Sequence, residues 1–393
     1  MQYPGWKGYG ATMSASELDI LRLCLTTPNA LTPVIVGAPG IGKTQRLKKL
    51  AKDLGWDCEV LSPGERGEGA FGVVPVPNGD GYLHYPPPDW VKRFAESGKG
   101  LVFVDEINTA PPALQPALLG LILDGRIGGY QLPPGVRRAA AMNPVSQAAA
   151  GWDLPPALAN RMQYLVWSSP TASEWSDWLL SDAERQEGRG WTNARALAAA
   201  YHRKNPGRLC EDPDKVLAGR FPPAFATPRS WETAVRMLAT CTDQGMIDQY
   251  PSIAEGILGK AISIEWCTWL RKNDLPDPEE LLKEPASWHP DPKESDKVFA
   301  TCFAVAEAAI EKSPNNNEMR RPYTKNERES RWHQAWRVLD RAMPLGKGII
   351  VIAARRLCER ANWPGTSFNA VLDSDVRRIV TQLQDVLKLS GQM

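Results

Sequence analysis

The first part of the chain alternates between two spacings of apolar residues. Val34–Val36 is a short continuous apolar run, which is typical of a buried strand. After it, apolar residues recur three and four positions apart at Leu47, Leu50 and Ala51, which predicts an amphipathic helix. Gly55 indicates where this helix ends, because glycine is favoured just past a helix C-terminus.

The same two patterns recur as far as Trp167. Four more strands are predicted at Cys58–Leu61, Gly100–Val104, Val136–Met142 and Tyr164–Trp167, and two more helices at Ser14–Leu25 and Pro111–Leu123. Ser14 and Glu17 have the spacing of a capping box at the start of the first of these helices. Strands and helices that alternate in this way indicate a three-layer α/β fold with a mostly parallel sheet.

From Pro170 onward the strand pattern gives way to helical spacing. Helices are predicted at Ala172–Leu180, Thr192–Arg203, Pro228–Cys241, Ser295–Glu311, Arg328–Ala342 and Asp373–Leu389. The stretch that begins at Lys312 is rich in asparagine, proline and charge, which is typical of a loop. An all-α region is therefore expected to follow the α/β part.

Composition limits the function classes. The 46 lysines and arginines almost balance the 45 aspartates and glutamates of the 393 residues, so no overall charge favours nucleic-acid or membrane binding. The N-terminus lacks a cationic flank with an apolar core, and no membrane-spanning stretch is present, so a cytoplasmic protein is expected. Seven cysteines without a CxxC pair and four dispersed histidines argue against a disulfide framework and a zinc site.

The sequence GAPGIGKT, Gly37–Thr44, fits the phosphate-binding pattern GxxxxGK[ST] between a predicted strand and a predicted helix. Lys43 is expected to reach the β- and γ-phosphate oxygens, and Thr44 to bind magnesium. The loop that would surround the phosphates consists of Gly37, Ala38, Pro39, Gly40, Ile41 and Gly42. A tight turn or a dinucleotide loop is the alternative, although a dinucleotide loop would lack the GKT ending.

Two further predicted strands end in polar residues. In LVFVDEIN, Asp105 at the end of a buried parallel strand can bind magnesium, and Glu106 can polarise the attacking water. In RRAAAMNPVS, Asn143 can hold that water beside the γ-phosphate. Taken alone, the two carboxylates could simply begin a loop, and an asparagine before Pro144 is an ordinary turn signal.

In this order, the motifs resemble those of the AAA+ ATPases, and DEINTAPPALQPALLGLILDGRIGG resembles the MoxR branch. The resemblance covers roughly residues 12–240. It implies that Gly37–Thr44 is Walker A, that Asp105 and Glu106 are Walker B, and that Asn143 is sensor 1. It also implies a nucleotide-binding core over residues 1–168, a helical lid over 169–265 and an α-helical extension of the lid over 266–393.

The same resemblance assigns two arginines. Arg161 in ANRM corresponds to the arginine finger, although the family pattern is usually Asp-Arg-Phe, and Arg229 in FATPRSWE corresponds to sensor 2. Arg161 follows a helical turn and precedes an apolar strand, where burying an unpaired charge is costly. A local ion pair or a helix-end cap would be its alternative role. For Arg229 the alternative is a solvated residue in the first turn of a helix, and whether it would act on its own subunit's ATP or a neighbour's stays open.

Two irregular stretches lie inside the α/β part. Phe71–Trp90 corresponds by position to the helix-2 insert of the MoxR branch, and Asp124–Arg137 to the hairpin before sensor 1. In family members both face the central channel of a ring. Their glycine, proline and aromatic content indicates only that they are irregular and exposed, so plain surface loops are the alternative.

The resemblance implies a ring, expected to be a hexamer, that uses ATP and Mg²⁺ to remodel a partner protein, in this family often one with a von Willebrand factor A domain. A nucleic-acid motor or loader is a second hypothesis, since residues 314–360 hold eleven Lys or Arg against five Asp or Glu with Tyr323, Trp332 and Trp336 between them. A solvated helix face with core tryptophans explains the same residues. A third hypothesis is a slow nucleotide-gated assembly module.

Overall fold

The computed structural model divides into two compact units, Met1–Ser169 and Pro170–Met393. It describes residues 17–28, 31–66, 68–72, 74–77, 79–144, 154–181, 189–216, 223–311, 322–359 and 374–388. Ser14, the predicted cap of the first helix, and most of the predicted loop after Lys312 lie outside these ranges. The predicted boundary at residue 265 stays a prediction.

A five-stranded parallel sheet forms the centre of the first unit, which confirms the predicted fold class. The strands of this unit are β1 (Thr32–Val36), β2 (Cys58–Leu61), β3 (Val76–Pro77), β4 (Leu83–His84), β5 (Lys99–Val104), β6 (Arg126–Ile127), β7 (Tyr130–Gln131), β8 (Gly135–Met142) and β9 (Met162–Val166). The sheet has the order β2-β5-β8-β1-β9, with all its neighbours parallel. The pairs β3–β4 and β6–β7 are small antiparallel hairpins.

Helices cover both faces of this sheet. They are α1 (Glu17–Thr26), α2 (Lys43–Asp53), α3 (Trp90–Ser97), α4 (Gln115–Leu119) and α5 (Pro156–Ala159). On one face Ile35 and Phe103 pack with apolar residues of α1 and α2, and on the other Val34 and Val104 pack with those of α3 and α4. Neighbouring residues of one strand point to opposite faces, so the stretch of a central strand that is buried on both sides is apolar, as Ala139–Ala141 of β8 is.

The helix predicted over Pro111–Leu123 is shorter than expected. Regular α-helix begins at Gln115 and changes at Gly120 into a π-helical turn that ends at Asp124. Pro116 accounts for the late start, because proline fits only the first turn of a helix, where its missing N–H has no intrahelical partner. The periodic apolar residues Leu114, Leu118 and Leu121 are still buried, so the pattern identified the buried face correctly.

The described residues of the second unit form helices and the loops between them, with no strand. Its helices are α6 (Ala172–Ser181), α7 (Arg189–Lys204), α8 (Pro213–Val216), α9 (Pro228–Asp243), α10 (Tyr250–Leu258), α11 (Lys260–Lys272), α12 (Pro278–Lys283), α13 (Ser295–Ile310), α14 (Lys325–Ala342), α15 (Lys347–Cys358) and α16 (Ser374–Lys388). Six of them were predicted. Within the described residues, no helix combines the length and the apolar character needed to cross a bilayer.

Of the four dispersed histidines, His202 is the buried one, whereas His84 and His289 are exposed. His202 is 0% exposed, and its ring meets that of Trp231 edge to face at a centroid distance of 4.4 Å. Burial lowers the pKa of His202 to about 3, so the ring is neutral in the folded protein. It therefore packs as an aromatic residue.

A network of buried charges joins three helices of the second unit. Arg195 of α7 donates to Glu307 of α13 at 2.5 Å, and Arg356 of α15 donates to the other oxygen of the same carboxylate at 2.6 Å. All three side chains are less than 10% exposed. Glu307 thus supplies a negative charge to both buried guanidinium groups, and Arg356 has a second carboxylate partner in Glu359.

We predict that Glu307→Gln lowers the free energy of unfolding by about 3–5 kcal/mol, because it removes the one carboxylate that contacts both buried guanidinium groups and leaves Arg356 only Glu359. Chemical denaturation measures this. The matched control is Glu265→Gln, which removes the carboxylate of the exposed Arg208–Glu265 pair and should cost about 1 kcal/mol or less. Equal losses in the two variants would contradict this role of the network.

Candidate nucleotide-binding site

The predicted phosphate loop connects β1 to α2 and has the backbone that such a loop requires. Gly40 has φ 78° and Gly42 φ 91°, values in the left-handed region that favours glycine. Gly42 directly precedes α2, and no side chain caps the helix. The first N–H groups of a helix have no intrahelical partner, so the start of α2 can offer them to an anion.

The remaining loop residues fix the loop to the sheet. A Cβ on Gly37 would lie 2.6 Å from Ile41 Cδ1 and 3.0 Å from the backbone oxygen of Trp167, so only glycine fits there. Ile41 is 3% exposed and packs in the same core as Leu47. The buried side chain of Ile41 therefore anchors the loop to the core. The backbone of the loop is left as the surface that a ligand can contact.

Lys43 links the loop to a second strand end. Its side chain is 7% exposed, and Nζ donates to the backbone oxygens of Gly37 at 2.7 Å and Ala38 at 3.0 Å. It also donates to Asn143 Oδ1 at 2.8 Å. The structure thus brings together Lys43 and Asn143, two predicted site residues one hundred positions apart in the chain.

Thr44 meets the first carboxylate of the DEIN sequence. Its hydroxyl donates to Asp105 Oδ2, and the backbone N–H of Asp105 donates to Leu61 at 2.8 Å, which fixes the end of β5. A hydroxyl and a carboxylate are the oxygen ligands that Mg²⁺ prefers. The Thr44–Asp105 pair therefore fits the predicted magnesium ligands.

Glu106 has an unusual backbone. With φ 52° and ψ 47°, it is the one non-glycine residue among those described that has a positive φ. Such a conformation costs about 1–3 kcal/mol and tends to occur at functional sites. Its N–H donates to Asp105 Oδ1 at 3.1 Å, and its carbonyl oxygen accepts bonds from the N–H and the hydroxyl of Thr109, each at 2.8 Å.

Asn108 is a site residue that sequence reasoning missed. It is 4% exposed, and its amide Nδ2 lies 3.5 Å from the backbone oxygen of Asn143. Its Oδ1 accepts no hydrogen bond from the described residues. A polar residue directly after the buried Ile107 was the signal in the sequence, because a buried amide needs partners. Asn108 connects the turn after β5 to the end of β8.

Arg161 is exposed, so the expected cost of burying its charge does not arise. It lies in the turn between α5 and β9, and its guanidinium makes no hydrogen bond or ion pair with any part of the chain that the structure describes. A local ion pair would have been its alternative role. Within the described residues the guanidinium is thus unpaired, and the finger role stays a prediction.

Arg229 is also exposed and lies in the second unit, at the second residue of α9. Thr227 and Ser230 form a capping box at the start of this helix, which confirms the helix start in TPRSWE. The sensor 2 role of Arg229 stays a prediction.

Each of the two irregular stretches contains one small hairpin: β3–β4 lies in Phe71–Trp90, and β6–β7 lies in Asp124–Arg137. In β3–β4, Tyr82 is 74% and Leu83 65% exposed. The hairpins touch through backbone, since the N–H of Gly129 donates to the carbonyl oxygen of Tyr85 at 2.9 Å. A Cβ on Gly128 would lie 2.8 Å from that same oxygen. The close approach of the two hairpins leaves no room for a side chain at Gly128, which explains why glycine stands there. The channel-facing role of the two stretches stays a prediction.

The tryptophans of the basic stretch belong to the core, and two of its arginines, Arg331 and Arg356, form ion pairs. Trp332 is 1% and Trp336 0% exposed in the apolar cluster of α12 to α16. Arg331 forms a two-pronged ion pair with Glu279, with both bonds at 2.7 Å. In the described part of this stretch, these features match the helix-and-core interpretation rather than a nucleic-acid surface.

The fold and the site define a class of protein. The chain has a parallel sheet with the P-loop after its second-to-last strand in spatial order, carboxylates after β5, an amide after β8 and a following helical unit. These features match the predicted P-loop αβα core with its helical region. No family model and no curated protein matches the chain in sequence.

Among solved structures, a point mutant of RuvB from Thermotoga maritima is similar, with 16% identity over 68% of this chain and 73% of that one, and a TM-score of 0.35. NtrX from Brucella abortus is similar with 14% identity over 66% and 69% of the two chains, and a TM-score of 0.31. The assignment of the class therefore rests on the topology and the site of this chain.

Proposed function

We propose that the chain is a Mg²⁺-dependent ATPase that hydrolyses ATP to ADP and phosphate. The observation that carries the proposal is the meeting of three strand ends at one place, where Lys43 contacts Asn143 and Thr44 contacts Asp105. A lysine, a hydroxyl, a carboxylate and an amide beside a glycine loop match the groups that phosphoryl transfer uses.

Each residue has a distinct role in this proposal. The loop amides and Lys43 bind the phosphate oxygens, while Thr44 and Asp105 would hold Mg²⁺, which neutralises phosphate charge when it is bound. Glu106 accepts a proton from the attacking water, since its exposed carboxylate stands next to Asp105. Asn143 holds that water through its amide.

We propose further that the working form is a ring in which Arg161 reaches the nucleotide of the neighbouring subunit. Its exposed guanidinium, without a partner in the described part of the chain, supports this role. The exposed apolar hairpin β3–β4 supports a protein as the client that the ring remodels. A hexamer and a client with a von Willebrand factor A domain come from the MoxR resemblance alone.

We predict that the purified chain hydrolyses ATP with Mg²⁺ and that Glu106→Gln lowers kcat by about 10²- to 10⁴-fold, because the general base is lost. ATP binding should persist. A phosphate-release assay measures turnover, with Glu96→Gln, an exposed glutamate on α3, as the matched control. Wild-type turnover no higher than that of Glu106→Gln would exclude the enzymatic function.

We predict that Arg161→Ala binds ATP normally but loses roughly 10³-fold in kcat, because the transition-state charge loses its arginine. Mixing this variant with Lys43→Ala should restore part of the activity, since the second variant supplies an intact Arg161 to the first. Arg22→Ala, which removes an exposed arginine of α1, serves as control. Full turnover in Arg161→Ala, or no recovery in the mixture, would argue against a finger that acts between subunits.

A further inference from the structure

The carboxylate of Glu106 depends on its backbone for its direction. The side chain is exposed and makes no hydrogen bond or ion pair within the described ranges of the chain. A general base has to lie within hydrogen-bond reach of the water that it deprotonates. With no side-chain partner among the described residues, the φ and ψ of Glu106 set the direction in which its side chain leaves the backbone and thus the region that the carboxylate can reach.

That backbone needs support, because the left-handed region is unfavourable for glutamate. Two donors from one residue hold it: the N–H and the hydroxyl of Thr109 each donate to the carbonyl oxygen of Glu106 at 2.8 Å. The N–H bond closes a tight turn of the chain, while the hydroxyl bond is a second, side-chain contribution. Of the two, only the hydroxyl can be removed by substituting a side chain.

Thr109 lies in a turn that is anchored in the core, and a glycine of the loop after β2 lies beside its side chain. Ile107, in the same turn, is 0% exposed and anchors the turn in the core of the sheet. A Cβ on Gly64, in the loop after β2, would lie 3.3 Å from Thr109 Oγ1 and 3.7 Å from its Cβ. Gly64 therefore leaves the room that the hydroxyl occupies, and a side chain at that position would crowd it.

We propose that Thr109 is a positioning residue that holds Glu106 in its left-handed conformation and thereby aims the carboxylate at the attacking water. This inference rests on the proposed function, in which Glu106 is the general base. Without the hydroxyl, the carbonyl oxygen of Glu106 loses one of its two donors, and the backbone of Glu106 can leave the left-handed region for the favoured conformations with negative φ. The carboxylate then moves away from the water.

The test compares Thr109→Val, which keeps the shape of the side chain, with Thr109→Ser, which keeps the hydroxyl. Thr109→Val should lower kcat about tenfold with KM for ATP unchanged, because small misplacements of a catalytic group are costly. Thr109→Ser should recover most of kcat. Thr26→Val is the matched control, because Thr26 also donates to a backbone carbonyl, that of Arg22 at 2.8 Å, but on α1.

Two further measurements separate positioning from general stability. In a Glu106→Gln background, Thr109→Val should cause no additional loss of kcat, because the group that it positions no longer acts. Gly64→Ala should lower kcat without changing KM, since the new methyl group crowds Thr109 Oγ1 from outside. This variant keeps the proposal testable even if Thr109→Val folds poorly.

The outcomes distinguish the inference from the function on which it rests. Wild-type turnover with an unchanged kcat in Thr109→Val overturns the inference and leaves the ATPase proposal standing. A further loss of kcat in the Glu106→Gln background also overturns it, because the effect would then not pass through Glu106. A wild-type chain without turnover overturns both.

Discussion

The hydrogen bond from Lys43 to Asn143 depends on the parallel register of β1 and β8. Val36 pairs with Met142, and the next residue of β1, Gly37, donates its N–H to the carbonyl oxygen of Met142 at 3.3 Å. Parallel neighbours end at the same edge of a sheet, so the phosphate loop and Asn143 are brought to one place. A shift of one residue would turn the alternating side chains of β8 to the opposite face.

The site divides its polar groups between buried and exposed positions. Lys43 and Asn108 are almost fully buried, and both contact Asn143, so they link strand ends. Glu106 and Arg161 are exposed, and neither side chain has a partner within the described residues. The first pair is suited to fixing the geometry of the loop, and the second to contacting groups that come from outside the chain.

Much of this architecture could be predicted from the sequence. The strand predicted at Gly100–Val104 was located to within one residue of β5, because a buried parallel strand is a continuous apolar run. Helix α15 was missed, because IIVIAA is a short continuous apolar run whose spacing does not distinguish a helix from a strand, and packing in the second unit stabilises the helix. The roles of Asn108 and Thr109 depend on a turn whose left-handed φ at Glu106 has no signature in residue type.

The central claim is that the P-loop and the ends of β5 and β8 form one ATP site. A crystal structure of Glu106→Gln with Mg²⁺ and ATP tests it directly. The account predicts the phosphates at the start of α2, with Lys43 Nζ on the β- and γ-phosphate oxygens and the metal ion between Thr44 and Asp105. Nucleotide bound elsewhere, or bound here with the metal ion away from Thr44 and Asp105, would contradict the account.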